Sequence, residues 1–216
     1  MSFAAFVFDA YGTLFDVHSA VRRHAAAAGP DGQALSELWR AKQLEYSWVR
    51  SLMGNYRDFW QLTVEALDYA LAVYPSVDPG LKDRLLESYW KIDCYPEVPA
   101  VLKNLKAQGA RIAILSNGSP DMLKAAVGKA ALETVIDDIF SVDAVKTFKT
   151  SPAVYDIVTT QYRLYPDAVS FQSSNRWDIA GATKFGFRTV WINRANRPEE
   201  YADFGPSLIL PSLESL

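Results

Sequence analysis

An apolar run, Ala4-Ala5-Phe6-Val7-Phe8, ends abruptly on one carboxylate, Asp9, and a turn containing Gly12 and Thr13 follows. A strand rich in Phe and Val is most easily buried on both faces, as in a parallel sheet. Asp9 then stands at the carboxyl edge of that sheet, where open α/β folds bind ligands. An acid in that place is hard to explain as packing. The bland alternative is a strand ended by a capping Asp. Two later strands also end in polar residues, at Ser116-Asn117-Gly118 and at Ser173-Ser174-Asn175, and Lys149 lies in a loop that can reach the same edge. Taken singly, Ser, Asn and Gly after a strand are ordinary turn residues. Their convergence on one carboxylate is the stronger signal.

Other chemistries find little support. The two histidines, His18 and His24, share one expected helix on poorly matched faces and read as surface residues, and no acid or cysteine pattern completes a zinc site. A Ser-His-Asp or Cys-His unit would have to use one of those two. The lone cysteine, Cys94, has no neighbouring His and reads as a packing residue; it excludes an internal disulfide and fits a reducing cytoplasm. No G-x-S-x-G elbow, P-loop or G-x-G-x-x-G occurs. With 216 residues, half of them hydrophobic, and a net charge of −3, the chain reads as an ordinary soluble globular protein. That charge gives no reason to expect nucleic acid or an anionic membrane as partner. The longest apolar runs fall short of a membrane span, and the N-terminus lacks the features of a signal peptide.

The elements that must position these residues alternate. After Phe15 the pattern turns helical and stays so to Tyr95. Helices are expected over 17–28, to about Met53, from Phe59 to about Leu71 and over 81–92, with no convincing strand among them. From Tyr95 onward, helices (100–108, 120–131, 152–162, 178–185) alternate with strands (111–115, 139–142, 168–171, 188–192), the last strand being 188–192. Such alternation implies a Rossmann-like, mostly parallel sheet with helices on both faces, an α/β fold. The expected organisation is a discontinuous core, 1–15 and 96–216, with a helical cap domain, 16–95, inserted after the first strand. That insertion leaves the edge that carries Asp9, so it must sit over the site.

Asp9-Ala10-Tyr11-Gly12-Thr13, Ser116-Asn117-Gly118, Lys149 and Ser173-Ser174-Asn175-Arg176-Trp177-Asp178 resemble the successive motifs of the haloacid dehalogenase superfamily. Together with the segment from Trp39 to Trp48, they are most similar to its L-2-haloacid dehalogenases. The resemblance spans essentially the whole chain. A phosphatase of that superfamily is expected to carry a second Asp two residues after the nucleophile, to protonate a leaving alcohol; here that position is Tyr11. Its last motif is expected to supply Gly-Asp for magnesium; here Ser173-Ser174 stands there. A halide leaving group needs no proton. The resemblance therefore implies metal-free, cofactor-free hydrolysis of short 2-haloalkanoic acids through an aspartyl ester on Asp9.

In that reading Lys149 is the counter-charge of Asp9 and Thr13 positions it. Ser116 and backbone amides of the Ala10–Leu14 turn hold the substrate carboxylate. Arg40 and Asn117 receive the halide ion. Asp178 activates the hydrolytic water, with Asn175 orienting water or ester; the alternative for Asp178 is a helix N-cap. Ser173 belongs to the same motif, and Tyr155 holds Lys149 or Asp178. Tyr11, Leu44, Phe59 and Trp177 wall the alkyl group, although aromatic residues are more often core, Phe59 above all. The resemblance also suggests a homodimer. Three positions depart from the expected pattern. Thr150 stands where Pro usually follows the lysine. Arg176 replaces a small residue and brings a cation beside Asn175. Ala41 replaces a larger polar residue expected near the pocket. The competing readings are a metal-dependent phosphatase of the same superfamily and a non-catalytic binding module on the same fold.

Overall fold

The computed structural model describes residues 3–216, so the first two positions of the expected core segment 1–15 lie outside the described residues. Strand β1 (Ala5–Phe8) leads to a two-residue strand, β2 (Phe15–Asp16). Helices α1 (Ser19–Arg22), α2 (Ala25–Ala28), α3 (Gly32–Leu52), α4 (Phe59–Val73) and α5 (Lys82–Trp90) follow, and β3 (Asp93–Cys94) ends this run. The remainder alternates: α6 (Val98–Ala107), β4 (Ile112–Ser116), α7 (Pro120–Lys129), β5 (Asp138–Ser141), α8 (Pro152–Tyr162), β6 (Val169–Ser173), α9 (Arg176–Phe185), β7 (Arg188–Ile192) and β8 (Leu208–Leu210).

Six strands form one parallel sheet in the order β5-β4-β1-β6-β7-β8. β1 is central, with Phe8 opposite Ile114 on one side and Gln172 on the other. β4 and β6 are buried along their whole length; β4 accordingly reads as a nearly continuous apolar run, whereas β6 alternates apolar with polar residues and buries Ser170 and Gln172 as well. The parallel register brings the carboxyl ends of β1, β4 and β6 to one edge, and the α/β expectation holds.

The fold differs from the sequence expectation in three places. The segment 17–28 is two short helices, not one. His24 leaves the helical region (φ −113°, ψ 22°), because tertiary partners hold this turn: Arg23 bonds Asp93 and the Lys91 carbonyl, and His24 Nε2 meets Ser88 Oγ at 2.8 Å. The histidines are correspondingly half-buried between helices rather than on the surface, with His18 Nδ1 2.9 Å from Ser36 Oγ. Burial lowers the pKa of His18. Second, β2 and β3 pair antiparallel, Phe15 with Cys94 and Asp16 with Asp93, so the chain leaves for the helices and returns from them side by side. Two residues per strand are too few to show a period. Third, β8 extends the sheet past 188–192, the expected last strand. It is a short, partly exposed edge strand.

α3 and α4 are joined by buried polar contacts. Trp39 Nε1 donates to the Thr63 carbonyl at 2.8 Å and Gln43 Nε2 to Thr63 Oγ1 at 2.9 Å. That fixes the rotation of α3. Arg40, Leu44 and Trp48, four residues apart, then form a neighbouring stripe of the same helix. Ala41, expected near the pocket, is exposed instead.

Candidate active site

Asp9 follows β1 directly and is 4% exposed. The turn after it closes through backbone bonds from Thr13, Leu14 and Phe15 to the Ala10 carbonyl. Gly12 takes φ 93°, a region that a side chain disfavours. The turn aims the Thr13 hydroxyl back at Asp9 Oδ2, 3.0 Å away. Asn175 Nδ2 donates to the same oxygen at 2.8 Å and to the Tyr11 carbonyl at 3.1 Å. Lys149 Nζ takes Oδ1 at 2.9 Å. The structure thus assembles Asp9, Thr13, Lys149 and Asn175 from three separate stretches of chain.

Lys149 also donates to Asp178 Oδ2 at 2.7 Å. Its side chain and that of Asp178 are fully buried. Burial works against the lysine's charge, but the carboxylates of Asp178 and Asp9 outweigh it and raise its pKa. It is an ammonium at neutral pH. One ammonium serves two carboxylates, and burial lifts Asp178 to about 6, against the opposing pull of Lys149. A carboxylate poised there suits a general base near neutrality. Tyr155 donates to Asp178 Oδ1 at 2.9 Å, so of its two expected partners it takes Asp178. Burial keeps its own pKa well above the usual phenol range, so it remains a donor.

Asp178 is not the helix N-cap. α9 begins two residues before the sequence suggested, Asn175 is the cap residue, and Asp178 lies in the first turn. Ser173 Oγ accepts from the Asn175 amide at 3.1 Å, which fixes that turn from the end of β6. At the end of β4, Ser116 Oγ accepts from Gly118 N at 3.1 Å. Asn117 Oδ1 accepts from Lys149 N at 3.0 Å, so it steadies the lysine's backbone and leaves its own amide donor for other work. Arg40 reaches over the first turn and donates to the Tyr11 carbonyl at 3.3 Å.

Among the apolar candidates, Tyr11 and Phe59 are buried with ring centroids 6.2 Å apart. Leu44 is half-buried on the Arg40 stripe. Trp177 is half-buried and meets Trp48 edge-to-face at 5.5 Å. Two neighbours escaped the sequence reading. Tyr89 stacks on Tyr11 (5.7 Å, 12°) and bonds Gln43, yet on paper it belonged to the apolar stripe of α5. Trp48 closes the segment that carried the resemblance, but only its helical spacing from Leu44 pointed its side chain toward the site. Arg176 neither faces solvent nor pairs with Asn175: its side chain is buried and donates to the Tyr201 and Phe204 carbonyls at 3.0 and 3.1 Å.

A magnesium ion, as a phosphatase of this fold would need, does not fit these residues. Hard cations require several free oxygen ligands. Here the facing oxygens of Asp9 and Asp178 share one ammonium, and the Asn175 amide donor occupies Asp9 Oδ2 together with the Tyr11 carbonyl. Among the described residues no cluster of three or more His, Cys, Asp or Glu could hold a metal.

Comparison with known proteins identifies the family. The family model for haloacid dehalogenase-like hydrolases matches residues 3–186. (S)-2-haloacid dehalogenase 4A of Burkholderia cepacia is 50% identical over 206 residues, covering 95% of this chain and 89% of that protein. A dehalogenase crystal structure superposes with a TM-score of 0.97 at 48% identity, covering 99% of this chain and 95% of the other. The L-2-haloacid dehalogenase of Xanthobacter autotrophicus, with chloropropionic acid covalently bound, superposes with a TM-score of 0.86 at 36% identity over 98% and 95% of the two chains. The chain belongs to the haloacid dehalogenase-like hydrolases.

Proposed function

We propose that this protein is an (S)-2-haloacid dehalogenase, which hydrolyses short L-2-haloalkanoic acids to 2-hydroxy acids with inversion. The observation that carries the reading is Asp9, buried and held by Lys149, Thr13 and Asn175, with a tyrosine instead of an acid two residues on. Such a carboxylate is built to attack, and the position from which a phosphatase of this superfamily would protonate its leaving alcohol holds Tyr11. The names of its relatives support the reading, as does the covalent chloropropionic acid of the Xanthobacter autotrophicus structure.

Oδ2 of Asp9 accepts two donors and Oδ1 only Lys149, so Oδ1 keeps the freer lone pair. It attacks the carbon opposite the halogen. The C–O bond forms as the C–halogen bond breaks, and the halide leaves with the bonding pair. Arg40 and Asn117 receive that charge. Ser116 and the amides of the Ala10–Leu14 turn hold the substrate carboxylate, while Tyr11, Leu44, Phe59 and Trp177 enclose the alkyl group. Water then attacks the acyl carbon of Asp9 and loses its proton to Asp178. The ester's acyl–oxygen bond breaks, and the proton passes to the departing 2-hydroxy acid. Burial of the pair keeps bulk water from competing.

The same proposal includes the division into a core (1–15, 96–216) and a helical cap (16–95), supported by the side-by-side exit and return at β2 and β3. It includes a homodimer, supported by exposed Val49, Leu52, Tyr69 and Val73 on α3 and α4 and Met53 just past α3. A cytoplasmic location fits the lone cysteine, whose thiol burial pushes up to about 12. No helix among the described residues is long and apolar enough to cross a membrane.

The test is halide release from chloro-, bromo- and fluoroacetate and from both enantiomers of 2-chloropropionate, with Asp9→Asn as control. Activity on the S enantiomer, lost in Asp9→Asn and indifferent to a chelator, is expected. Activity on none of these acids would sink the reading.

A further inference from the structure

Along α3 the stripe that begins at Arg40 and Leu44 continues to Trp48 and Ser51, at helical spacing. Each end of it touches the sheet domain. Arg40 lies on the Tyr11 carbonyl, Trp48 lies edge-to-face on Trp177, and Ser51 Oγ accepts from Phe148 N at 3.1 Å. The stripe therefore runs from the reacting centre outward. Beyond Trp48 it meets a groove of about 850 Å³, lined by Trp48, Trp177, Phe148, Phe185, Tyr201 and Phe204, with Lys149 and Lys184 also on its wall. Arg176 fixes the far wall, because its guanidinium holds the Tyr201 and Phe204 carbonyls. A haloacetate or halopropionate is far too small to need this space, since cavities of roughly 300–1,000 Å³ take drug-sized ligands.

We propose that Trp48 is a specificity-determining residue, the partition that separates the alkyl pocket of the reacting centre from this groove, and that the groove takes the tail of longer 2-haloalkanoic acids once the partition is removed. The inference rests on the function proposed above. The partition consists of Trp48 from α3 and Trp177 from α9, with ring centroids 5.5 Å apart. Inside it, Asp9 is almost inaccessible, at 4% exposure, and the Lys149 side chain is fully buried, while outside it Trp48 is 37% exposed. The occupant is assigned by continuity and chemistry. The groove adjoins Trp177 and Lys149, which already belong to the site, and its aromatic lining suits an unbranched hydrocarbon tail.

The experiment compares kcat/KM for chloroacetate, (S)-2-bromobutyrate and (S)-2-bromohexanoate in the unaltered protein and in Trp48→Phe, Trp48→Leu and Trp48→Ala, with thermal midpoints measured alongside. The unaltered protein should favour the short acids. Selectivity for hexanoate over acetate should rise in the order Phe, Leu, Ala, by up to about fourfold for each newly accommodated methylene. Trp48→Phe and Trp48→Leu keep the test decisive should the Ala variant fold poorly. An unchanged selectivity ratio across the three variants overturns the inference. So does an unchanged ratio accompanied by a concentration-dependent loss of dimer, which would mean that a second copy of the chain covers the groove. Absence of halide release from every acid by the unaltered protein would instead count against the proposed function.

Discussion

Tyr155 donates its hydroxyl to Asp178 Oδ1 at 2.9 Å, on the opposite side of the carboxylate from the oxygen held by Lys149. The phenol cannot be a proton source at ordinary pH, since burial raises its pKa far above the usual value. Its effect is on its partner: a donor to a charged carboxylate favours the charged form. Tyr155→Phe removes that donor, so the pKa of Asp178, already about 6, should rise further. Water activation requires ionised Asp178, and activity falls as pH drops through that value. The acid limb of kcat should therefore move to higher pH in Tyr155→Phe, by about half to one unit for a hydrogen bond worth about 1 kcal/mol. A limb that stays in place or moves down would detach Tyr155 from the base.

Asp178→Asn should separate the two chemical steps. Displacement needs Asp9, whereas ester hydrolysis needs the base. The variant should lose about 10²–10⁴ in turnover, and intact-mass measurement after mixing with (S)-2-chloropropionate should find an adduct on Asp9. The same substitution makes a statement about stability. The folded pKa of Asp178 is raised to about 6 from an ordinary 3.8. For a group raised in the fold, the stabilising contribution is present below the unfolded value and is lost as pH rises through the folded one. Asp178→Asn should therefore unfold at a higher temperature than the unaltered protein at pH 8, and the gap should narrow toward pH 4.

Much of this site was legible before any coordinates. A parallel sheet whose strands end at one edge places Asp9, Ser116, Asn117, Ser173 and Asn175 together whatever the loops do. What was not legible follows from contacts distant in sequence. Lys149 joins two carboxylates, 140 and 29 residues away, because its loop is steadied by Asn117 and Ser51. Spacing carries no trace of such a link. Tyr89 and Trp48 looked like apolar members of helical stripes, and only tertiary packing brings them to the site: the rotation of α3, set by Trp39 and Gln43 on Thr63, places Trp48, and Tyr89 of α5 is held there by Gln43 and Tyr11. The break between α1 and α2 is likewise tertiary, since Ala25–Ala28 is helix-favouring and would extend the helix if left alone.

Lys149→Met replaces the ammonium with an apolar side chain of similar length. Two buried carboxylates would then lie without their shared counter-charge. Removing one partner from a buried charge cluster typically costs about 3–5 kcal/mol, because the remaining charges lose their compensation but keep their desolvation. The variant should be inactive at pH 7 and clearly less stable than the unaltered protein in urea, and its deficit should shrink at low pH as the carboxylates protonate. Retention of full stability at pH 7 would mean that water already screens the pair.

Gly181 lies on α9 one turn beyond Asp178, where an added Cβ would come within 2.5 Å of the Tyr155 hydroxyl and 2.9 Å of Thr150 Cβ. The phenol has little room to retreat, since Phe171, Phe185 and Phe187 surround its ring at centroid distances of 5.8–6.0 Å. Gly181→Ala should therefore push the hydroxyl off Asp178 rather than be absorbed. The expected signature is a fall of about tenfold in kcat, with the acid limb displaced upward as in Tyr155→Phe. A double-mutant cycle tests the route of the effect. With Phe at 155 the clashing oxygen is gone, so Gly181→Ala should cost much less activity in that background than in the unaltered protein. Equal costs in both backgrounds would place the damage at Thr150, and through it at the Lys149 loop.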